Sequence, residues 1–301
     1  MGKENHIYSP AYKEEEFDEI LSYCGHIVFN SFEQINRYRD RVMAAGKSMG
    51  IRVNPQCSTQ EGHAVYDPCA PGSRLGVTRE RFRPEFLDGV EGIHFHTLCE
   101  QDADDLKITL DAVEEKFGEF LYRMKWVNFG GGHHITRPGY NIPLLEECIR
   151  NIQEKYRVTV YLEPGEAVAL NAGVLLTRVL DTFFQDGNIA ILDASAACHM
   201  PDVLEMPYRP PLARSGREGE YPYTYCLAGP TCLAGDVIGT YSFEHPLSVG
   251  ERLEFGDMAI YTMVKNNTFN GMCLPAIAVE RENGECQVVK AFGYEDFKIR
   301  L

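Results

Sequence analysis

The stretch that decides the fold is WVNFGGGHHITRPGYNIPLLEECIRNIQEKYRVTVYLEPGE, residues 126–166. It begins with a short β-rich segment at 126–130, continues through a segment of helical periodicity at 141–156 and ends in a second β-rich segment at 158–164. Apolar residues spaced three or four apart predict a helix, and short runs of β-branched and aromatic residues predict strands. A strand, a helix and a strand in succession predict a βαβ unit with parallel strands.

The same rhythm extends upstream of this stretch, with further β-rich segments at 6–9, 26–30, 51–55 and 92–96. Polar or glycine residues stand at several predicted strand ends, where a barrel of βα units keeps its active site; they are Asn54, His96, Gly130–Gly132 and Glu163. From about residue 167 the pattern changes to strands separated by turns such as QDGN and ENGE, which is typical of an antiparallel β-domain. The sequence therefore predicts a barrel domain over 1–166 and a sandwich-like or barrel-like β-domain over 167–301.

The number of predicted strands falls short of a closed barrel. A (β/α)8 barrel has eight parallel strands, and six are found before the pattern changes. We therefore expect an N-terminally incomplete TIM barrel that lacks its first two βα units, so that MGKENHIYSPAY is not where the fold begins.

Composition limits the class of function. The 301 residues include 29 Lys and Arg against 44 Asp and Glu, a formal net charge of −15, which argues against nucleic acid and anionic membrane surfaces and favours cationic partners. No segment resembles a signal peptide or a membrane span, so we predict a cytoplasmic protein. The ten cysteines include no C-x-x-C pair and predict reduced thiols rather than disulfides or a zinc cluster.

Four motifs carry chemistry, and each taken alone leaves two interpretations open. FGGGHH at 129–134 predicts either a phosphate-binding loop or a tight turn. Glu163 is either a functional carboxylate or a solvated acid. His94 and His96 share one face of a strand and suit either metal ligation or core packing. Cys232 in GPTCLAGD is either a reactive thiol or a buried one.

The order of these motifs resembles the fold-type III pyridoxal phosphate decarboxylases, which have an alanine-racemase-like barrel followed by a β-domain. The strings STQEGHAVYDPCAPGSRLG, LDASAACHMPDVLEMPYRPPL and VKNNTFNGMCLP resemble, within that family, the carboxynorspermidine and carboxyspermidine decarboxylases. The resemblance covers essentially the whole chain. It implies a carboxy-lyase of polyamine biosynthesis.

The resemblance implies a role for each matching residue. His96 corresponds to the imidazole that stacks on the cofactor ring, and Gly130, Gly131 and Gly132 to the loop that holds its phosphate. Tyr261 corresponds to a tyrosine that also reaches the phosphate, and Glu163 to the acid paired with the pyridine nitrogen. Cys232 corresponds to a catalytic thiol that enters the active site from the other subunit of a homodimer and helps to protonate the carbanion.

The predicted substrate contacts are acidic. Relatives that act on ornithine have an arginine where this chain has Glu166, and a carboxylate there suits a substrate with more amino groups. We predict that Glu166, Asp202 and Asp236 bind its ammonium groups, although Asp202 is equally well explained as a turn residue. We predict no metal ligands.

One departure from the family is large. The resemblance implies a lysine at the end of the first barrel strand that binds the cofactor covalently. No segment of this sequence matches it: Lys3 precedes the first predicted strand, Lys13 lies in an acidic helix and Lys47 precedes the strand at 51–55.

Three hypotheses follow from this departure. The first is a truncated decarboxylase with impaired activity, and we predict that such an open barrel aggregates or folds loosely. The second is a non-catalytic homologue that binds polyamine or cofactor, or that pairs with an intact subunit. The third is a metal-dependent barrel hydrolase that uses His94 and His96.

Overall fold

The computed structural model describes residues 4–60 and 64–301, and the chain divides into two compact units, Met1–Val168 and Ala169–Leu301. Lys3, one of the three lysines considered above for the cofactor, lies outside the described residues. None of the helices in the described ranges has both the length and the apolar character that a membrane span requires.

The described residues of the first unit form six strands and five α-helices, which alternate except that only 3-10 turns lie between the third and fourth strands. The strands are β1 (His6–Tyr8), β2 (His26–Phe29), β3 (Ser48–Arg52), β4 (Val90–His94), β5 (Trp126–Asn128) and β6 (Thr159–Tyr161). The helices are α1 (Phe17–Tyr23), α2 (Phe32–Ala44), α3 (Ala103–Leu121), α4 (Ile142–Tyr156) and α5 (Gly165–Ala169). All six strands are parallel and lie in the order β1-β2-β3-β4-β5-β6, with β1 and β6 at the edges. The predicted parallel arrangement is confirmed as half of a barrel, and the described residues do not close it into eight strands.

The longer helices begin at capping residues that the sequence supplies. The Ser31 side chain accepts a hydrogen bond from the backbone N–H of Gln34 at the start of α2. Asp102 and Asp105 form a capping box at the start of α3, and Asn141 caps α4. Each cap satisfies an N–H group that the first helical turn leaves without a partner, which fixes where the helix starts.

The two faces of the parallel sheet differ in chemistry. Ile27, Ile51, Ile93 and Val127 are fully buried and belong to the hydrophobic core of the first unit. Full burial of such a side chain stabilises the fold by about 1.5–3 kcal/mol. Because side chains alternate along a strand, the residues between them face the other way, and these are largely polar or aromatic. The polar face is the one that positions the candidate site.

Two glycines on this second face make room for the only tryptophan of the chain. A Cβ at Gly50 would lie 2.3 Å from the Trp126 indole, and one at Gly92 would lie 2.1 Å from it. The indole Nε1 donates a hydrogen bond of 2.8 Å to the Ser48 hydroxyl. The Trp126 indole therefore occupies the space beside Gly50 and Gly92, where any larger residue would overlap it.

The second unit contains seven strands and four short helices. The strands are β7 (Leu175–Phe184), β8 (Asn188–Leu192), β9 (Tyr223–Ala228), β10 (Val237–Phe243), β11 (Arg252–Phe255), β12 (Ile277–Glu280) and β13 (Cys286–Lys290). The helices are α6 (Ala196–His199), α7 (Asp202–Glu205), α8 (Tyr261–Val264) and α9 (Tyr294–Lys298). The strands form a five-stranded sheet in the order β10-β9-β8-β7-β11 and a separate β12-β13 hairpin.

The predicted antiparallel domain needs one correction. The QDGN and ENGE hairpins pair antiparallel as expected, but β8 and β9 are parallel, so the larger sheet is mixed. The connection between β8 and β9 is long and contains α6 and α7, which allows the chain to return in the same direction. A hairpin pattern in the sequence reports only neighbouring strands and could not reveal this pairing.

Candidate active site

Polar side chains collect at the carboxyl-terminal ends of the parallel strands. Arg52, His94 and Asn128 are the last residues of β3, β4 and β5, and the register pairs them with one another across the sheet. His96 and Glu163 follow two residues after β4 and β6. The predicted location of the site at this edge agrees with the strand ends that the structure shows.

Glu163 is an exposed carboxylate with two neighbours that favour its charge. Asn128 Nδ2 donates a hydrogen bond of 2.8 Å to Oε1, and His94 Nε2 lies 3.5 Å from Oε2. Burial opposes ionisation, but His94 and Asn128 outweigh it and lower the pKa of Glu163 to about 2. The side chain stays 40% exposed, so an ionised carboxylate is presented to a ligand.

His96 is a neutral imidazole fixed by backbone contacts. Its Nδ1 accepts a hydrogen bond of 3.2 Å from the N–H of Gly131. Burial, reinforced by the nearby Arg52 guanidinium, lowers the pKa of His96 to about 4. A neutral ring with one nitrogen already engaged presents an uncharged flat surface.

The three glycines of the FGGGHH turn have a packing reason to be glycine. Gly130 and Gly132 have φ angles of 73° and 80°. A Cβ at Gly130 would lie 2.4 Å from Phe95 O, and one at Gly132 would lie 2.2 Å from Leu98 O. Two of the N–H groups also have internal acceptors, since Gly130 donates to Asn128 Oδ1 and Gly131 to His96 Nδ1. The tight turn is therefore present, and the phosphate contact stays a prediction.

The metal interpretation of His94 and His96 gains no support from the site. His94 is fully buried with its Nε2 toward Glu163, and burial lowers its pKa. Within residues 4–60 and 64–301, no group of three or more potential ligands includes His94 or His96. The first unit thus brings together His96, the glycine turn and Glu163.

In the second unit, Cys232 lies on an exposed turn with a specific partner. Its Sγ donates a hydrogen bond of 3.1 Å to Oδ1 of Asn270, in the loop that the sequence writes TFNG. Asn270 has a φ of 58°, a conformation that asparagine tolerates better than most residues. The exposed interpretation of Cys232 is the one that the structure supports.

Asp236 has a different role from the predicted one. It is 2% exposed, and its carboxylate accepts five hydrogen bonds from Ser195 Oγ, the Ala197 N–H and the N–H and Oγ1 of Thr231. These hydrogen bonds and its burial account for the carboxylate without a substrate and weaken its predicted role. The structure assigns Asp236 to holding the turn before Cys232 against the start of α6.

Asp202 also has an internal partner, because Lys265 Nζ donates to its Oδ1. The same ammonium lies 3.0 Å from Glu205 Oε2. This pairing accounts for the charge of Asp202 without a substrate and weakens its predicted role. Tyr261, at the start of α8, is 52% exposed, and Glu166 is half-buried in α5.

Several site residues escaped the sequence analysis. Arg52 is 4% exposed, its guanidinium lies 4.5 Å from the centre of the Tyr8 ring, and its Nη2 donates to His96 O at 3.2 Å. Asn128 and Asn270 position Glu163 and Cys232. The only sequence signal for Arg52 and Asn128 is their place at the end of a predicted strand, and choosing them required the register between strands.

Of the three lysines considered above, the two in the described part of the chain, Lys13 and Lys47, do not lie at the carboxyl-terminal end of a parallel strand. Lys13 is exposed, precedes a single 3-10 turn and pairs with Glu16 at 2.6 Å. Lys47 precedes β3, at the amino-terminal end of that strand. The groups that lower the pKa of Glu163 are His94, Asn128 and His96, none of them a lysine.

Comparison with known proteins decides the family. Residues 8–259 match the family described as pyridoxal-dependent decarboxylase, C-terminal sheet domain. The chain belongs to the pyridoxal-dependent decarboxylases. It is 43% identical to a carboxynorspermidine/carboxyspermidine decarboxylase of Campylobacter jejuni, over all of this chain and 81% of the relative. It is 41% identical to a carboxyaminopropylagmatine decarboxylase of Synechocystis, over all of this chain and 78% of the relative.

A solved structure supports the same assignment. The crystal structure of the Campylobacter jejuni carboxynorspermidine decarboxylase with norspermidine superposes with a TM-score of 0.90 at 42% identity, covering 99% of this chain and 81% of that one. The family resemblance inferred from the sequence motifs is thus confirmed. The cofactor of this family is pyridoxal phosphate.

The residues present fit that cofactor. Its pyridine nitrogen requires an ionised acid, and Glu163 is exposed with a pKa of about 2. Its ring requires a flat neighbour, and His96 is a neutral imidazole. Both requirements are met by features of this chain independently of the comparisons.

Proposed function

We propose that this chain carries the pyridoxal phosphate chemistry that decarboxylates carboxynorspermidine or carboxyspermidine to norspermidine or spermidine. The observation that supports it best is the ionised, exposed Glu163 beside the neutral His96, in a chain 43% identical to a decarboxylase of those substrates. The hypotheses of a non-catalytic homologue and of a metal-dependent hydrolase are not favoured by these relatives.

Each proposed contact has a physical task. Pyridoxal phosphate, when bound, accepts the electron pair released as CO2 leaves. Glu163 holds a proton on the pyridine nitrogen because a carboxylate of such low pKa stays ionised beside it. His96 would cover one ring face and exclude water there, and the glycine turn would hold the phosphate; a phosphate contact of Tyr261 stays a prediction.

Cys232 is the proposed acid that returns a proton to the substrate carbon. Its thiol is exposed, and Asn270 fixes its direction through the hydrogen bond at Sγ. We further propose that two copies form a homodimer in which Cys232 serves the site of the other copy. In this proposal residues 1–166 are the cofactor-binding part of an alanine-racemase-like barrel, and residues 167–301 form the β-domain.

Glu166 is a further proposed substrate contact. Its carboxylate lies three residues beyond Glu163, on the short helix α5. An ammonium group of a triamine is a suitable partner for it, and the net charge of −15 favours a cationic ligand. The predicted cytoplasmic location stays a prediction.

One relative suggests a second candidate substrate. The Synechocystis relative at 41% identity is named for carboxyaminopropylagmatine, which ends in a guanidinium rather than an ammonium group. CO2 release should be measured with both substrates, and we expect a higher kcat/KM for the ammonium-bearing one. A preference for the guanidinium substrate would move the proposal to that reaction.

A separate experiment tests whether any lysine of this chain binds pyridoxal phosphate covalently. We expect borohydride reduction of the 301-residue chain with pyridoxal phosphate to leave no stoichiometric pyridoxyl group on a single lysine, because no lysine stands in the family's sequence context. A peptide map with one fully modified lysine would contradict this expectation. Assay with and without an added N-terminal segment that bears a lysine strand tests the corresponding gain of CO2 release. No turnover of either substrate in either form would reject the proposed function.

A further inference from the structure

A cluster of potential metal ligands lies at the opposite end of the parallel strands from Glu163. His6 and His26 are the first residues of β1 and β2, and the register places them side by side. Their imidazole rings stack with centroids 4.0 Å apart. The ligand atoms of Glu4, His6 and His26 all lie within 4.8 Å of one another.

The ring nitrogens of this cluster lack hydrogen-bond partners. Both nitrogens of His6 and Nδ1 of His26 are inaccessible to solvent and make no hydrogen bond with the described residues. His26 Nε2 lies 3.7 Å from Glu4 Oε1. A buried polar atom without a partner costs about 1–3 kcal/mol, so several such atoms in one place point to a missing ligand.

The third member of the cluster is a carboxylate, which adds an anionic oxygen ligand to the two imidazoles. Glu4 brings a negative charge, and the Tyr161 hydroxyl orients it with a hydrogen bond of 2.7 Å to Oε1.

We propose that Glu4, His6 and His26 form a binding site for one divalent transition metal ion of the zinc class. Two imidazoles and a carboxylate are a common ligand set for such ions. Ligand atoms of a tetrahedral zinc site are about 3.3 Å apart and the ion lies in the plane of each imidazole, so binding requires the two stacked rings to turn and the exposed Glu4 to move closer. The fourth position is available to water.

The expected role of the ion is structural. The amino-terminal ends of barrel strands contribute to stability rather than to catalysis. An ion there ties β1 to β2 and to the segment before β1. The site contains none of the residues assigned to the cofactor, so its success or failure is independent of the proposed decarboxylation.

The test is a Zn²⁺ titration against a chromophoric chelator, with metal content after dialysis as a second measurement. We expect one Zn²⁺ per chain, and affinity on the order of 100-fold lower for Glu4→Gln and for His26→Gln. Glu4→Gln changes an exposed side chain and should fold, which protects the test against misfolding of the histidine variant. His245→Gln removes a histidine that pairs with Glu251 at 3.1 Å in the second unit, and it should leave the affinity unchanged.

Because the chain has ten cysteines, the ligand type is checked with Co²⁺. Ligation by imidazole and carboxylate gives no thiolate-to-cobalt charge-transfer band. Equal zinc affinity of the wild type, Glu4→Gln and His26→Gln, or a cobalt spectrum with a thiolate band that all three share, would overturn the proposal.

Discussion

Two carboxylates that the sequence singled out for ligand contacts have opposite environments. Glu163 follows a strand of the first unit, is 40% exposed and has two polar neighbours. Asp236 lies in the second unit, is 2% exposed and accepts five hydrogen bonds. Glu163 is followed by Pro164 and Gly165, and Asp236 follows Gly235, yet of the two only Glu163 is exposed. Solvent exposure, rather than the surrounding motif, distinguishes the two carboxylates.

The largest effect is expected for Asp236→Ala. It would leave the Ser195, Ala197 and Thr231 donors without their acceptor, and we expect the second unit to lose about 3–5 kcal/mol. The readout is alkylation of Cys198, which is fully buried and should become reactive. Fluorescence of Trp126, in the first unit, should stay unchanged, since that unit keeps its own core.

The matched control for Asp236 is Asp181→Ala, an exposed carboxylate whose Oδ1, within residues 4–60 and 64–301, accepts only the adjacent Thr182 N–H. It should change the stability by no more than about 0.5 kcal/mol. If Asp236→Ala proved as mild as this control, the contrast between the two carboxylates would not hold.

Glu163→Gln tests whether the exposed carboxylate of the pair contacts the cofactor. We expect cofactor-dependent activity to fall by about 100-fold, because a neutral amide cannot keep the pyridine nitrogen protonated. Weaker binding of pyridoxal phosphate, measured by equilibrium dialysis, should accompany the loss while Trp126 fluorescence is unchanged. Glu166→Gln should retain the cofactor affinity and instead raise KM for the substrate. Equal cofactor affinity of wild type and Glu163→Gln would remove Glu163 from the cofactor site.

The stability of the first unit should depend on pH. His133 follows the glycine turn, is 1% exposed, and burial lowers its pKa to about 4. Between its ordinary value near 6.5 and that value the unfolded chain binds more protons, so stability falls as the pH drops through this window. We expect Trp126 fluorescence to report a first unit less stable by on the order of 1 kcal/mol at pH 5 than at pH 7.5. His133→Gln should reduce this difference, and a pH-independent unfolding midpoint would contradict the prediction.

The smallest effect is expected for Asn270→Gly. Glycine accepts the φ of 58° and removes the amide that holds Cys232, so only the hydrogen bond is lost. We expect alkylation of Cys232 at fixed pH to become about 3-fold faster, the equivalent of one weak hydrogen bond. Asn283→Ala, whose Oδ1 serves a turn in the last hairpin, is the control. An unchanged rate for Asn270→Gly would show that the contact does not restrain the thiol.

Local sequence pattern predicted much of the secondary structure of the first unit. The alternation of short β-rich and helical segments predicted the six parallel strands, and their ends located Glu163 and His96. The strand predicted at 51–55 runs instead from Ser48 to Arg52, and it ends before Asn54, whose side chain donates to Leu75 O outside the sheet. Such shifts arise when tertiary hydrogen bonds compete with the local preference for extended backbone.

By itself, the sequence determined the βα rhythm, the glycine turn and the family, because these depend on residues close together in the chain or on their order. Only the tertiary structure decided which acidic residues are available. Asp236 is bound by Ser195, forty-one positions away, and Asp202 by Lys265, sixty-three away. It also decided that β8 and β9 are parallel and that His6 and His26 meet. Contacts at such separations are set by how elements pack, and no local pattern encodes them.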